Sequence, residues 1–539
     1  MNEKPVDKNA NAYRKPRRTF EKSGLVDPET SYYVVIESVV NSDNQDIQTM
    51  IDLGRYFSIF APRQSGKTTF LEGLAGQLHR DPTYVAILLS FQDYNDLDKA
   101  RFYAAIEKDL YKQLLSRLKE VHCEKTGAVQ HLLNRHRLTD NISFRALFEE
   151  LNQLLQFKKI VVFIDEFDGI PVDELGNFLT SLRELYLRYK KVKQKALYSV
   201  GLIGIRNITR LIVGGVSPFN IADHVNLPPF SLKNVSDLCA QYTDETNQPF
   251  TGGAVKKLSE ETAGQPWLVN RLGTILTVNI KPRTVTPIDE TDVETAIRLL
   301  LKEKNAHFDN LYEKAKLYKE TFVEIVFDNV GYKPDDEDQN WLEQFGLIKK
   351  RDYKAVVANN IYKARYTDTF FSEVDVPEVK SALDFVSPGS DHPLDMERIL
   401  VEFSRYIAQI GVRAFYEKDK PYEKTGQFLL TAWLYQFVKG GEGELRYEVP
   451  SGLGRMDILL TYKGKKYIIE TKVNRFNELN VIVKEGISQV AGKYLPAESI
   501  DEGYLVVFDT QKRVGAECKP EYYPVGDRRV TGFIIAIGR

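Results

Sequence analysis

Between residues 56 and 78 the chain reads YFSIFAPRQSGKTTFLEGLAGQL, which restricts the possible folds more than any other stretch. Residues 56–60 read as an apolar strand, APRQSGKTT as a loop, and residues 69–78 as a helix of 3.6-residue period. The loop approaches G-x-x-x-x-G-K-[ST], with Ala61 where the first glycine usually stands. Gly66 lets backbone amides turn inward on phosphate oxygens. Lys67 reaches the β and γ oxygens, and Thr68 offers a hydroxyl to Mg2+. The helix N-terminus adds partial positive charge. The candidate nucleotide contacts are Ala61, Arg63, Gln64, Ser65, Gly66, Lys67, Thr68 and Thr69. A chance match is the bland alternative, but chance matches rarely fall between a strand and a helix.

A second strand, YVAILLSF (84–91), precedes KKIVVFIDEFDGI (158–170). The latter reads as a buried parallel strand whose C-terminal end, where such sheets bind ligands, delivers Asp165 and Glu166. Asp165 is expected to hold Mg2+ through water, and Glu166 to orient or deprotonate the attacking water. A helix-capping carboxylate would explain the pair equally well were there no phosphate loop upstream. The strand YSVGLIGI (198–205) leads into Arg206, which would either face a γ-phosphate or sit in a surface loop; both readings stay open. Gly264-Gln265-Pro266 breaks one helix and starts another, with Pro266 suited to a first turn.

At 539 residues the chain has room for about three or four domains of roughly 150 residues. A formal net charge of −2 gives no global basic field, so any nucleic-acid surface must be local. Three well-separated cysteines, Cys123, Cys239 and Cys518, argue against a disulfide framework or a zinc site. No apolar run reaches the roughly 20 residues of a membrane span, and the polar N-terminus has no signal-like apolar core. A cytoplasmic protein with no membrane partner is expected.

Residues 18–300 resemble the STAND and archaeal-type branch of the AAA-like P-loop ATPases. The resemblance rests on APRQSGKTT, VVFIDEFD, the arginine after GLIGI, SPFNIADHVNLPPF and AGQPWLV. It implies ATP and Mg2+ as ligands, a helical lid placing Pro266 beside the nucleotide, and Arg206 as a sensor. The missing first glycine is a departure from the family pattern. Residues 305–386 alternate helical and strand-like stretches in the order of a winged helix. Its recognition-helix region, PDDEDQNWLEQFG, is acidic, whereas phosphate contacts need Lys or Arg. A packing or protein-contact module is expected there.

Near the C-terminus, GRMDILLTYKGKKYIIETKV (454–473) reads as two strands with KGK as their turn. Strand interiors are depleted in Asp, Glu and Lys, yet Asp457 opens the first strand and Glu470 and Lys472 close the second. Glu470 and Lys472, two apart, share a strand face, and an antiparallel pairing can bring Asp457 to them. Two carboxylates at one point need a cation between them, and Mg2+ or Mn2+ takes oxygen ligands. With a lysine beside it, that is the equipment of phosphodiester hydrolysis. A solvent-facing Glu470–Lys472 salt bridge is the plain alternative. Residues 395–539 resemble the PD-(D/E)XK nucleases on Met456-Asp457 and Glu470-x-Lys472, with Met456 replacing the usual proline. The resemblance implies that Glu423 matches the family's first acidic position and joins Asp457 and Glu470 at the metal, and that Gln489 matches its helix glutamine. Tyr494 falls one residue later than the family spacing.

The expected fold class is α/β: a P-loop NTPase parallel sheet with a helical lid, a winged-helix-like middle module and a C-terminal α/β nuclease-like domain. The expected bounds are 1–17 (polar tail), 18–232 (ATPase core), 233–304 (lid), 305–386 (middle module) and 387–539 (nuclease-like domain). The expected function is an ATPase that regulates metal-dependent cleavage of nucleic acid, DNA in preference to RNA. Self-association through the ATPase domain and a setting in antiphage or anti-plasmid defence are also expected. The rivals are a STAND-like signalling scaffold whose nuclease-like domain only binds nucleic acid, and a mobile-element DNA motor.

Overall fold

The computed structural model describes residues 12–22, 24–37, 39–192, 197–205, 221–327, 330–372, 385–386, 393–410, 416–417, 420–421, 423–438, 443–451, 454–476 and 478–538. Arg206 lies outside them, and so does the side chain of Glu423, although that residue opens a described helix. The chain forms two compact units, Met1–Lys319 with Gly331–Lys363, and Glu320–Val330 with Ala364–Arg539.

The first unit is built on a parallel sheet of β1 (Phe57–Phe60), β2 (Tyr84–Ser90), β3 (Lys159–Asp165), β4 (Ser199–Gly204) and β5 (Asp223–Asn226). Its order is β2-β3-β4-β1-β5, so β4 separates the phosphate-loop strand from the carboxylate strand. Both sheet faces are covered, as parallel sheets require. In β3, Ile160, Val162 and Ile164 join Phe102, Ile106, Phe144 and Phe178, which belong to the helices Lys99–Glu120, Asn141–Leu154 and Val172–Val192. Val161 and Phe163 point the other way, to Leu71, Leu74 and Leu78 of the helix Lys67–Leu78. The parallel pairing of β3 with β4 and of β4 with β1 aligns the C-terminal ends of β1, β3 and β4 along one edge.

The helices Leu232–Thr246, Gly252–Thr262, Pro266–Thr274 and Glu290–Leu301 follow. The N-terminal segment is tied to them: Arg18 pairs with Glu245 at 2.7 Å, and the Trp267 indole donates to the Lys22 carbonyl at 2.9 Å. The helix Glu337–Gln344 is followed by the antiparallel hairpin of β6 (Ile348–Arg351) and β7 (Lys354–Val357). Gly346, at φ +76°, connects that helix to β6. It lies so close to the phosphate loop that a β-carbon there would come within 2.5 Å of Pro62 Cγ.

Among the described residues, the second unit has two short strands, β8 (Tyr416–Glu417) and β9 (Lys420–Pro421), and one six-stranded sheet. The sheet is made of β10 (Gly443–Ser451), β11 (Gly454–Tyr462), β12 (Lys465–Asn474), β13 (Glu502–Arg513), β14 (Glu521–Val525) and β15 (Arg528–Gly538), in the order β10-β11-β12-β13-β15-β14. Strands β12, β13 and β15 are mutually parallel, and β10, β11 and β14 pair antiparallel. One face packs on the helices Met396–Ile410 and Glu423–Val438 through Phe403, Leu430 and Trp433. The other face, through Ile468 and Leu505, packs on Val483, Val490 and Tyr494 of the helical stretch that starts with Leu479–Gln489. Among the described residues, no helix is long and apolar enough to cross a membrane.

Candidate functional site

At the aligned edge of the first sheet, Ala61 follows β1 and the loop turns through Gln64 (φ +57°) and Gly66 (φ +86°) into the helix beginning at Lys67. Such a positive φ favours glycine at Gly66, and it leaves the first helical amides open toward the loop. Ser65 donates to the Pro62 carbonyl at 2.8 Å. The Lys67 ammonium folds back on the Ala61 and Pro62 carbonyls, 2.8 Å from each. Burial lowers its pKa, against the opposing pull of Glu166, Asp165 and Asp168. Thr68 Oγ1 donates to Asp165 Oδ2 at 2.6 Å, so hydroxyl and carboxylate meet. Thr69 Oγ1 accepts from the Val26 amide at 3.4 Å.

Glu166 leaves β3 at φ +49°, an uncommon conformation for a residue with a side chain. The Asp165 carboxylate supports it by accepting the Glu166 amide at 2.8 Å. Burial raises the Glu166 pKa, and Lys67 and Arg63 act in the opposite direction. Glu166 is thus a part-buried carboxylate near two cations, the kind of perturbed group that functional sites gather.

Asp168 was given no role from sequence. Its Oδ2 accepts the Ile205 amide at the end of β4. Gly204 makes this possible, because a β-carbon there would sit 2.6 Å from that oxygen. Asp168 thus fixes the residue that immediately precedes Arg206. The signal available in the sequence was an acid three residues beyond Asp165 in IDEFD.

Pro266 occupies the first turn of its helix, capped by Gln265, whose side chain accepts from the Leu268 amide at 2.6 Å. The same side chain donates to the Gln64 carbonyl at 3.2 Å and so joins this helix to the phosphate loop. The neighbouring Trp267 stacks on His307, with ring centroids 4.2 Å apart. His307 contacts the Tyr362 hydroxyl at 2.7 Å, and burial drives its pKa down to about 3. The folded state therefore binds this proton less readily than the unfolded chain does, whose histidine titrates near 6.5. Its contribution to stability is complete above that value and falls as pH drops toward 3. Between pH 6.5 and 5 the wild type should lose about 2 kcal/mol through this group. Denaturant melts of wild type and His307→Phe at the two pH values check it. An equal pH slope in both proteins would remove His307 as the cause.

In the second unit, the register that pairs Ile458 with Ile469 sets Asp457 beside the end of β12. Asp457 Oδ2 accepts from both the Thr471 amide and hydroxyl at 2.7 Å. Lys472 donates to Glu470 Oε1 at 2.8 Å. Glu470 is 2% exposed, and burial followed by the Asp457 charge pushes its carboxyl pKa up to about 7. Its second oxygen, Oε2, is buried without a hydrogen-bond donor, and so is Gln489 Oε1. Buried acceptors without donors are rare, because each keeps its full desolvation cost. Tyr494 is near enough to both carboxylates for their charges to add to the burial that raises its pKa. Among the described residues, no group of three or more His, Cys, Asp or Glu side chains is gathered as a ligand set.

The sequence profile of the AAA-like domain matches residues 21–368. No curated protein matches the chain. Among solved structures, the chain is similar to a Walker-type ATPase of Pyrococcus abyssi, at 13% identity and a TM-score of 0.41, over 61% of this chain and 98% of that one. It is also similar to the RuvB Holliday junction branch migration motor of Thermotoga maritima, at 14% identity and 0.31, over 59% and 90%. A third is Cdc6p from Pyrobaculum aerophilum, at 12% identity and 0.30, over 58% and 86%. These likenesses are too slight to carry any residue-level argument. The profile match spans well over half of the chain and contains both the phosphate loop and the Asp165-Glu166 strand end, and the chain belongs to the AAA-like domain family of P-loop ATPases.

Proposed function

We propose that this ATPase is a STAND-type nucleotide switch controlling a metal-dependent PD-(D/E)XK-type nuclease in its second unit, and that residues 305–386 are a winged-helix-like module. The observation that carries the nuclease reading is the meeting of Asp457, Glu470 and Lys472 around a buried Glu470 oxygen that lacks a donor. A surface ion pair would be solvated, and it would leave no orphaned acceptor. A carboxylate oxygen left without a donor matches the preference of a hard divalent cation.

In the ATPase centre, Lys67 would exchange its loop carbonyls for β- and γ-phosphate oxygens, and Gly66 would let the loop amides close on them. Arg63, Gln64, Ser65 and Thr69 would line the loop, with Pro266 beside it. Glu166 would accept the proton of the attacking water, and Arg206 would answer the γ-phosphate. Thr68 and Asp165 would hold Mg2+, which, when bound, neutralises phosphate charge. In the second unit, Asp457 and Glu470, with Glu423, would hold Mg2+ or Mn2+, which supplies Lewis acidity to the phosphodiester. Gln489 would orient the water or the metal shell. Lys472 would release Glu470 and face the charge developing on phosphate.

DNA is the proposed substrate, self-association through the ATPase unit the proposed assembly, and the cytoplasm, in antiphage or anti-plasmid defence, the proposed setting. The test is a plasmid-nicking assay of the purified chain with Mg2+ or Mn2+, with and without ATP. Nicking should require the metal and respond to nucleotide. Cleavage that survives EDTA, or none under any condition, would favour the scaffold reading.

A further inference from the structure

Strand β3 last pairs with β4 at Ile164 and Leu202, and β4 runs on to Gly204. Past that point a side chain takes over the role of the neighbouring strand, because Asp168 Oδ2 accepts the Ile205 amide. At the other end of the same peptide group, the Gly204 carbonyl accepts the Ala61 amide at 3.3 Å, where β1 passes into the phosphate loop. One planar unit, the Gly204–Ile205 peptide, therefore joins the phosphate loop to the turn that follows Glu166. That turn is pinned on its other flank as well. Phe167–Gly169 form a single 3-10 turn, closed by the Gly169 amide on the Glu166 carbonyl at 2.9 Å. Gly169 lies so close to the Phe91 carbonyl, just beyond β2, that a β-carbon there would overlap it. The Phe91 amide in turn donates to the Asp165 carbonyl at 3.0 Å. Glu166, at its positive φ, thus stands in a short turn held by Gly169 to the end of β2 and by Asp168 to the end of β4. An uncommon backbone conformation persists only where its surroundings over-determine it.

We propose that Asp168 is a positioning residue of ATP hydrolysis, which keeps Glu166 in register with the phosphate loop through the Gly204–Ile205 peptide. Asp168 touches no reacting atom; it sets where the base stands relative to the bound phosphates. A misplacement of about 1 Å at a reacting centre costs about a hundredfold in rate. Binding of ATP does not depend on this bracket, because Lys67 and the loop amides stay in place without it. The Asp168 charge also reaches Lys67 and Glu166, although burial contributes most to the pKa shift of each. Position 204 is built for the contact: a β-carbon there would lie 2.6 Å from Asp168 Oδ2 and 3.1 Å from its Cγ, and would push the carboxylate off the amide. Were Asp168 only an acceptor for one strand-end amide, its loss would lower stability and leave the turnover of the folded protein unchanged. The inference rests on the reading of Glu166 as the base, so Glu166→Gln enters the test as a control.

The test uses the full chain with Mg2+ and reads ATP affinity by fluorescence and turnover by phosphate release. Wild type is compared with Asp168→Ala, Asp168→Asn, Gly204→Ala, the double variant of Gly204→Ala with Asp168→Ala, and Glu166→Gln. Asp168→Ala should lower turnover about tenfold to a hundredfold while ATP affinity stays within about threefold, which also shows that the variant is folded. Asp168→Asn presents a carbonyl oxygen to the same amide and should recover most of the loss. Gly204→Ala should reproduce Asp168→Ala, and the double variant should be no slower than either, because both changes break one contact. Wild-type turnover in Asp168→Ala beside a slow Glu166→Gln would overturn the proposal and leave the base in place. So would losses that multiply in the double variant, or an ATP affinity that falls as far as the turnover does. Wild-type turnover in Glu166→Gln would instead bring down the reading on which the proposal stands.

Discussion

Glu166→Gln is expected to leave ATP bound and to lower its turnover about a hundredfold or more, the scale of a lost general base. The carboxylate ends β3 in a conformation that costs stability, and the Asp165 side chain holds it there. Glutamine keeps the shape and the amide contact but has no basic oxygen. Lys67→Ala should behave differently and abolish tight ATP binding, because it removes the cation that meets the β and γ oxygens. Nucleotide affinity by fluorescence and turnover by phosphate release separate the two effects. Wild-type turnover in Glu166→Gln would move the role of base to another residue.

The second large effect lies in the other unit. Asp457→Ala and Glu470→Ala should each remove metal-dependent cleavage and leave ATP hydrolysis largely intact. Lys472→Ala should keep metal binding and lose about a hundredfold to a thousandfold in cleavage rate, as expected for a positioned charge facing a developing oxyanion. Calorimetric Mn2+ titration reads the first property, and cleavage of labelled DNA the second. If Glu470 and Lys472 were merely an ion pair, their loss would change stability and leave cleavage untouched. Cleavage that persists in Asp457→Ala would end the metal-site assignment.

The phosphate loop was legible because its chemistry is contiguous: a strand, a tight turn and a helix start within a dozen residues fix Gly66, Lys67 and Thr68 whatever surrounds them. The C-terminal hairpin was legible for a related reason. Lys463 and Gly464, both at positive φ, form a two-residue turn, and alternation then puts Glu470 and Lys472 on one face. Long-range packing was not legible. Nothing local says that β4 inserts between β1 and β3, or that Asp168 fixes the end of β4. The burial of His307 under Trp267 depends on residues 40 positions apart.

The return of Gly331–Lys363 to the first unit, after Glu320–Val330 has joined the second, bears on how the chain is made. Domains tend to fold in order as they leave the ribosome. Here the nucleotide-binding unit cannot be completed in that order, because the segment whose Gly346 lies against Pro62 emerges after the second unit has begun. Glu320–Val330 must in turn wait, without its partners, until Ala364 and the residues beyond it are synthesised. A nascent chain released at residue 319 would carry every phosphate-loop residue and still lack the piece that packs on the loop.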